Sequence, residues 1–261
     1  RHLDQARLPF MVDFRYLDQG VRINGVWYPI VKMRWIEGLN LNTFVARSVD
    51  QPAMLDQLFG LWVKVAGRLR AAGIAHADLQ HGNVLLIQLP GSDKLGLRLI
   101  DYDGMYVPTL AGQRSGEVGH PAFQHPRRLR EGTYSVEVDR FSHLAICSAL
   151  RCLRVGGRAL WQRFDNDNLL FGERDFAAPG SSALFRELWQ LGDPEARGLV
   201  GRLALATQRP LEETPWIDEL VADGRVRPLQ NDQLRAARAL LDPSSAVRAL
   251  PVARPLPANP A

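Results

Sequence analysis

Cysteine is scarce in this sequence, and a long apolar segment is missing. Cys147 and Cys152 are the two cysteines among 261 residues. On a predicted helix, residues at this separation point in different directions, which argues against a disulfide or a shared metal ion between them. Low cysteine content is typical of a reducing compartment, so we expect a cytoplasmic protein. No apolar run approaches the roughly 20 residues that cross a bilayer, so no membrane span is expected.

A strong excess of either charge is also absent. The 32 Lys and Arg residues face 28 Asp and Glu residues, a net charge of +4, which gives no reason to expect a nucleic-acid partner. The one dense basic run, Arg127-Arg128-Leu129-Arg130, is predicted to be a solvated loop. The six histidines show no His-x-x-x-His spacing and accompany no Cys-x-x-Cys pattern, so a zinc site is not expected.

Two polar stretches stand next to apolar strands. The first is Ala75-His76-Ala77-Asp78-Leu79-Gln80-His81-Gly82-Asn83, which runs directly into an apolar segment. The second is the acidic turn Leu99-Ile100-Asp101-Tyr102-Asp103-Gly104. Phosphoryl transfer from a magnesium nucleotide needs one carboxylate to orient the acceptor hydroxyl, and an amide with a second carboxylate to hold the metal. The two stretches together contain that set.

These stretches resemble the catalytic loop and the metal-binding turn of the protein-kinase-like superfamily. The resemblance implies that Asp78 orients the acceptor hydroxyl and that Gln80 hydrogen-bonds the transferring phosphate. It implies that Asn83 and Asp101 bind Mg²⁺, with Asp101 contributing to the nucleotide site. His76 is interpreted as a structural residue of the loop. ATP and Mg²⁺ are the cofactors, and a protein is the substrate, that this resemblance implies.

The N-terminal part predicts a β-hairpin. Residues 12–23 and 26–33 read as strands, and Asn24-Gly25 between them is a strong hairpin signal because both turn residues need positive φ. Pro29 cannot donate a ladder hydrogen bond, so its strand should be at an edge or bulged there.

The segment after the hairpin, residues 33–39, is similar to the hinge between the two lobes of a kinase. By that resemblance Met33 lies behind the adenine, and the backbones of Arg34 and Ile36 bind its edge.

The resemblance extends over most of the chain and implies an α+β, protein-kinase-like fold. Residues 1–36 would form part of the N-lobe, consisting of two strands and the hinge, and residues 37–241 the mostly helical C-lobe. Residues 105–126 are similar to an activation segment. Asp139 resembles the helix-start carboxylate that accepts hydrogen bonds from the catalytic-loop backbone. Residues 242–261 are rich in proline and predict a flexible or extended linker, with further domains expected beyond both ends.

This sequence departs from the protein-kinase pattern at several positions. Ala77 stands where many regulated kinases carry an Arg that pairs with a phosphorylated activation segment, so control by such phosphorylation is not expected. Gln80 stands where Ser/Thr kinases usually carry Lys. The two polar stretches also resemble aminoglycoside and choline kinases, so a small-molecule kinase stays open. The ending of residues 105–126 and Asp139 favour an atypical bacterial Ser/Thr protein kinase, which transfers the ATP γ-phosphate to a protein hydroxyl.

A working kinase also needs a Gly-rich phosphate loop and a strand Lys with its helix Glu partner. These are not found. Gly20 and Gly25 do not have the spacing of the loop, and Lys32 lies on the strand that enters the hinge, which is the wrong strand. We therefore expect a fragment of a longer kinase. A pseudokinase scaffold is the alternative, although the presence of Asp78, Asn83 and Asp101 favours the enzyme.

Overall fold

A short helix and a long β-hairpin open the chain in the computed structural model, which describes residues 2–89, 91–92, 94–163 and 168–242. They are α1 (His2–Ala6), β1 (Phe14–Ile23) and β2 (Val26–Met33). The turn between the strands has φ of 47° at Asn24 and 84° at Gly25, as the Asn-Gly signal predicts.

The hairpin has an irregularity at the position of its proline. Leu17 pairs with Ile30 and Val21 pairs with Tyr28, so the register of the two strands shifts between these pairs. Pro29 lies opposite the shift. The missing N–H of proline is accommodated there because no ladder hydrogen bond is formed at a bulge, and the prediction for Pro29 is confirmed.

Both faces of the hairpin are largely open to solvent. Nine large apolar side chains of the hairpin and the following segment are exposed: Tyr16, Leu17, Val21, Ile23, Val26, Trp27, Tyr28, Val31 and Trp35. The residues before the hairpin are tied to the rest of the protein, because Leu99 N–H donates to the Phe10 carbonyl at 2.8 Å.

The chain after the hairpin is mainly helical. They are α2 (Leu41–Ser48), α3 (Pro52–Ala71), α4 (Arg128–Glu131), α5 (Arg140–Trp161), α6 (Glu173–Ala177), α7 (Ala183–Trp189), α8 (Pro194–Ala206), α9 (Ile217–Leu220) and α10 (Asn231–Leu241). The fold is therefore α+β, with a mainly helical larger part and a β-hairpin, as predicted. None of the helices in the described ranges is long and apolar enough to cross a lipid bilayer.

The core is organised around α5. Residues 141–153 of this helix are buried on every side, which is typical of a helix at the centre of a domain. α3 packs against it through a buried stripe that includes Leu55, Leu58 and Trp62. α8 packs against it as well. Cys147 and Cys152 lie in this helix as free, buried thiols.

A small antiparallel sheet joins the hairpin region to the helices. Its strands are β3 (Leu39–Asn40), β4 (Val84–Gln88) and β5 (Leu95–Leu99), in the order β3-β4-β5. A second, two-stranded sheet consists of β6 (Val221–Ala222) and β7 (Arg225–Val226). Val84 pairs with Leu99, so the start of β4 and the end of β5 lie side by side and bring the two polar stretches together.

The prediction that residues 127–130 form a solvated loop is wrong. Arg128 begins α4 and is only 2% exposed, because its guanidinium reaches inward to backbone and side-chain acceptors. Of the linker predicted for residues 242–261, only Asp242 lies within the described residues.

Protonation of His143 is predicted to destabilise the protein. Trp62 Nε1–H donates to His143 Nδ1 at 3.0 Å inside the core, and burial lowers the pKa of His143 from 6.5 to about 4. The unfolded chain therefore binds a proton more readily than the folded chain, and stability present above pH 6.5 is lost as the pH falls towards 4. The shift corresponds to about 3 kcal/mol.

The measurement is urea unfolding at pH 7 and pH 4.5 for the wild type and His143→Gln, whose amide oxygen can still accept from Trp62. We expect a smaller loss of stability in the variant over this interval. Equal losses in both proteins would contradict the assignment.

Candidate active site

A buried carboxylate holds the loop that carries the candidate catalytic residues. Asp139, 2% exposed, ends the short 3₁₀ turn that leads into α5. Its Oδ2 accepts the His76 N–H at 2.5 Å and its Oδ1 accepts the Ala77 N–H at 2.8 Å. The predicted role of Asp139 is thus confirmed. Ala77 has a φ of 68°, a left-handed conformation that a non-glycine residue keeps only where its surroundings hold it.

His76 is a structural residue, as predicted. Its ring is fully buried, and Nε2 donates to the Ile100 carbonyl at 2.9 Å. This bond joins the first polar stretch to the residue that precedes Asp101.

Asp78 follows Ala77 and is fixed by two donors. Its Oδ2 accepts from Asn83 Nδ2 at 2.9 Å, and its Oδ1 accepts the backbone N–H of His120 at 2.8 Å. The second bond comes from a residue 42 positions away, in the segment that resembles an activation segment. Both carboxylate oxygens are therefore oriented before any substrate is present.

Asn83 and Asp101 lie at neighbouring strand ends. Asn83 N–H donates to the Gln80 carbonyl at 3.1 Å, and the Asn83 carbonyl accepts from Ile100 N–H at 3.0 Å. The Asn83 side chain donates from Nδ2 to the Asp78 backbone carbonyl at 3.0 Å as well as to its carboxylate. No hydrogen bond from a described residue occupies its amide oxygen. Asp101 has a φ of 65° and its side chain is exposed.

The oxygen donors of these two residues suit a magnesium ion. Mg²⁺ is usually bound by one or two carboxylates together with substrate phosphates and water. The Asp101 carboxylate and the Asn83 amide oxygen match that chemistry. Across the described ranges, no cluster of three or more His, Cys, Asp or Glu side chains has a metal-binding arrangement.

A cleft of about 480 Å³ opens between the hairpin and the acidic turn. Met33, from the end of β2, lines it together with Asp101, Tyr102 and Asp103. The structure thus places the predicted adenine neighbour and a predicted metal ligand on one cleft.

The predicted hinge residues present free backbone groups. Arg34 N–H donates to the Asp13 carbonyl at 2.9 Å, which continues the hairpin ladder by one step. The Arg34 carbonyl and the Ile36 N–H make no hydrogen bond with any described residue. These are an acceptor and a donor, the pair that the edge of an adenine ring needs.

Gln80 is held by its own loop. Its Oε1 accepts the Gly82 N–H at 3.1 Å and caps the short 3₁₀ turn at residues 81–83. Fixing Oε1 leaves Nε2 as the donating end of this side chain.

Sequence reasoning missed the role of Tyr102. Its hydroxyl donates to the Leu99 carbonyl at 2.8 Å and accepts the Val12 N–H at 2.6 Å, and burial raises the pKa of Tyr102 to about 12. The ring also meets His76 and Phe14 edge-on. Tyr102 therefore links the acidic turn to the start of the hairpin. Its partner Val12 is 90 residues away, and no local pattern indicates this contact.

No protein-family model and no curated protein matches this chain. One of the solved structures that it resembles is the "Crystal structure of Rad53 kinase domain and SCD2". The two chains are 19% identical with a TM-score of 0.43, over 92% of this chain and 85% of the other. A likeness at this level does not establish a family or a function.

Replacing Gly119 should disturb Asp78 directly. Gly119 has a φ of 78°, and a Cβ there would lie 2.7 Å from Asp78 Oδ1 and 2.9 Å from the Ala77 carbonyl oxygen. Gly112 has a similar φ of 81°, but a Cβ at Gly112 would meet nothing within 4 Å. Gly112→Ala is therefore the matched control for backbone strain.

We expect Gly112→Ala to cost about 1 kcal/mol, the penalty for a side chain in the left-handed region. Gly119→Ala should cost at least about 1 kcal/mol more, because overpacking adds to that penalty. Urea unfolding measures both. Equal losses would show that Gly119 does not pack closely on the loop.

Proposed function

We propose that this protein is a phosphotransferase that moves the γ-phosphate of MgATP to a Ser or Thr hydroxyl of a protein. The observation that carries the proposal is the geometry of Asp78. Its carboxylate is fixed by the Asn83 amide and the His120 N–H, on a loop whose backbone is held by Asp139.

Asp78 would orient the acceptor. An ionised carboxylate offers about four lone-pair positions, and two of these accept from Asn83 and His120. The remaining positions can accept a hydrogen bond from the substrate hydroxyl, which would direct the hydroxyl oxygen at the phosphate. Such positioning is the main protein contribution to phosphoryl transfer.

Asn83 and Asp101 would hold the magnesium ion. Held there, the ion would supply positive charge that offsets the charge developing on the transferring phosphate. Asn83 keeps its amide oxygen available because both of its donor contacts go to Asp78. One residue thereby connects the acceptor-orienting carboxylate to the metal position.

Gln80 would donate from Nε2 to the transferring phosphate. It brings a hydrogen bond without a charge, so we expect less transition-state stabilisation than a Lys at this position would provide. Met33, with the backbones of Arg34 and Ile36, would receive the adenine.

A nucleotide-binding or scaffold module without catalysis is the second candidate. The residues that line the cleft beside Asp101 include no Lys or Arg among those described. Lys32 instead lines a different cleft, with Arg15 and Leu17. A cation that grips the nucleotide phosphates is a usual part of a kinase site, and this observation favours the second candidate.

The test is phosphate transfer from radiolabelled ATP with Mg²⁺ to a generic protein substrate, compared between the wild type and Asp78→Asn. Asp232→Asn, in the exposed first turn of α10, is the control. We expect the Asp78 change to lower the rate by about 100-fold or more, the order of magnitude for misplacing a reacting group, and the control to keep most of the activity.

Activity that survives in Asp78→Asn would overturn the assigned role. A thermal shift with MgATP but no transfer would favour the scaffold. Transfer to aminoglycosides or choline in place of protein would indicate a small-molecule kinase.

A further inference from the structure

A buried arginine lies beneath the loop that carries Asp78. Arg128 is 2% exposed, although it sits in a strongly basic run. Its Nη1 donates to the Ala77 carbonyl at 2.6 Å and to the amide oxygen of Gln124. Gln124 Nε2 approaches the same Ala77 carbonyl at 3.4 Å. Arg128 and Gln124 therefore both donate to the carbonyl of Ala77 in the Asp78 loop.

That carbonyl belongs to the peptide bond between Ala77 and Asp78. Asp139 holds the peptide on the other side of Ala77 through its N–H. Both peptide planes that flank this left-handed residue are therefore held, one by a carboxylate and one by a guanidinium. Because the second plane includes the nitrogen of Asp78, its orientation sets the direction in which the Asp78 side chain leaves the backbone.

The charge of Arg128 has no carboxylate hydrogen-bonded to it among the described residues. The carboxylates that interact with it electrostatically are those of Asp139 and Asp78. Burial of a charge without a direct ion pair is costly, and a solvated arginine in the same basic run would avoid the cost. The attraction of Asp139 and of Asp78 in the loop offsets part of this cost.

We propose that Arg128 is a positioning residue that fixes Asp78 through the Ala77 carbonyl and keeps the segment of residues 119–128 closed on the loop. At one end of this segment the His120 N–H binds Asp78, and at the other end Arg128 binds Ala77. The segment is therefore held on the loop at both ends.

The structural part of the proposal is tested by hydrogen exchange, followed by NMR on the whole chain. The variants are Arg128→Met, which removes the charge at similar length, Arg128→Lys, which keeps it, and Arg127→Met as control. Arg127 donates to the Gln208 carbonyl at 3.1 Å and does not reach the loop. The reporters are the N–H groups of His120 and Asn83, with amides of α3 and α5 as reference.

We expect Arg128→Met to speed exchange at His120 and Asn83 by about tenfold or more, the factor for losing a hydrogen bond to a charged group, with the helix amides unchanged. Arg128→Lys should restore protection to within a few-fold of the wild type, and Arg127→Met should have no effect. Uniform acceleration across loop and helices, or no acceleration at all, would overturn the proposal.

If Arg128→Met does not fold, Gln124→Met decides the question, since it removes the second group on the Ala77 carbonyl and one partner of Arg128. A smaller acceleration confined to the same two amides supports the proposal, and unchanged exchange there contradicts it.

The catalytic part rests on the proposed function. In the phosphotransfer assay, Arg128→Met should lower kcat by about tenfold or more with little change in the KM for ATP, because misplacing a catalytic group acts on the chemical step. Arg128→Lys should recover most of kcat. An effect on KM alone would contradict positioning of Asp78. If the wild type transfers no phosphate, the proposed function fails, whereas the exchange experiment still decides the role of Arg128.

Discussion

The site depends on one buried carboxylate and the two backbone N–H groups that it accepts. Asp139 stands at the entrance to the central helix α5, so its position is set by the best-packed element of the core. Its bonds to His76 and Ala77 force the chain through a left-handed residue and into the Asp78 loop. Unpaired, these buried N–H groups would each cost about 1–3 kcal/mol. The same interaction therefore serves the stability of the fold and the orientation of the site.

Around this point the polar groups of the site are held mainly by backbone atoms. Asp78 binds the His120 N–H, the Asn83 side chain binds the Asp78 carbonyl, and Arg128 binds the Ala77 carbonyl. Backbone partners move only when a segment moves. The loop, the acidic turn and the segment of residues 119–128 thus form one hydrogen-bonded unit, and geometry at Asp78 is coupled to all three.

Local chemistry explains which parts of this arrangement could be predicted from the sequence. Asn24-Gly25 predicts the hairpin because the backbone preferences of a turn are local. The proximity of Asn83 and Asp101 could be predicted as well, because each lies next to one of two strand ends that pair with each other. The contacts of Tyr102 with Val12 and of Arg128 with Ala77 could not be predicted, since these partners are distant in sequence and contribute backbone groups, which any residue supplies. The basic run of residues 127–130 is typical of a solvated loop, and only the fold shows that the Arg128 side chain is buried.

We propose that Asn83 and Asp101 hold a divalent ion with its nucleotide beside Asp78. Paramagnetic broadening by Mn²⁺ with ATP tests it most directly, because the ion marks its own position in the NMR spectrum of the whole chain. We expect the signals of Asn83 and Asp101 to broaden first, the signal of Asp78 to follow, and the signals of α10 to be unaffected. Broadening that begins elsewhere, or that spreads evenly over the surface, would contradict it.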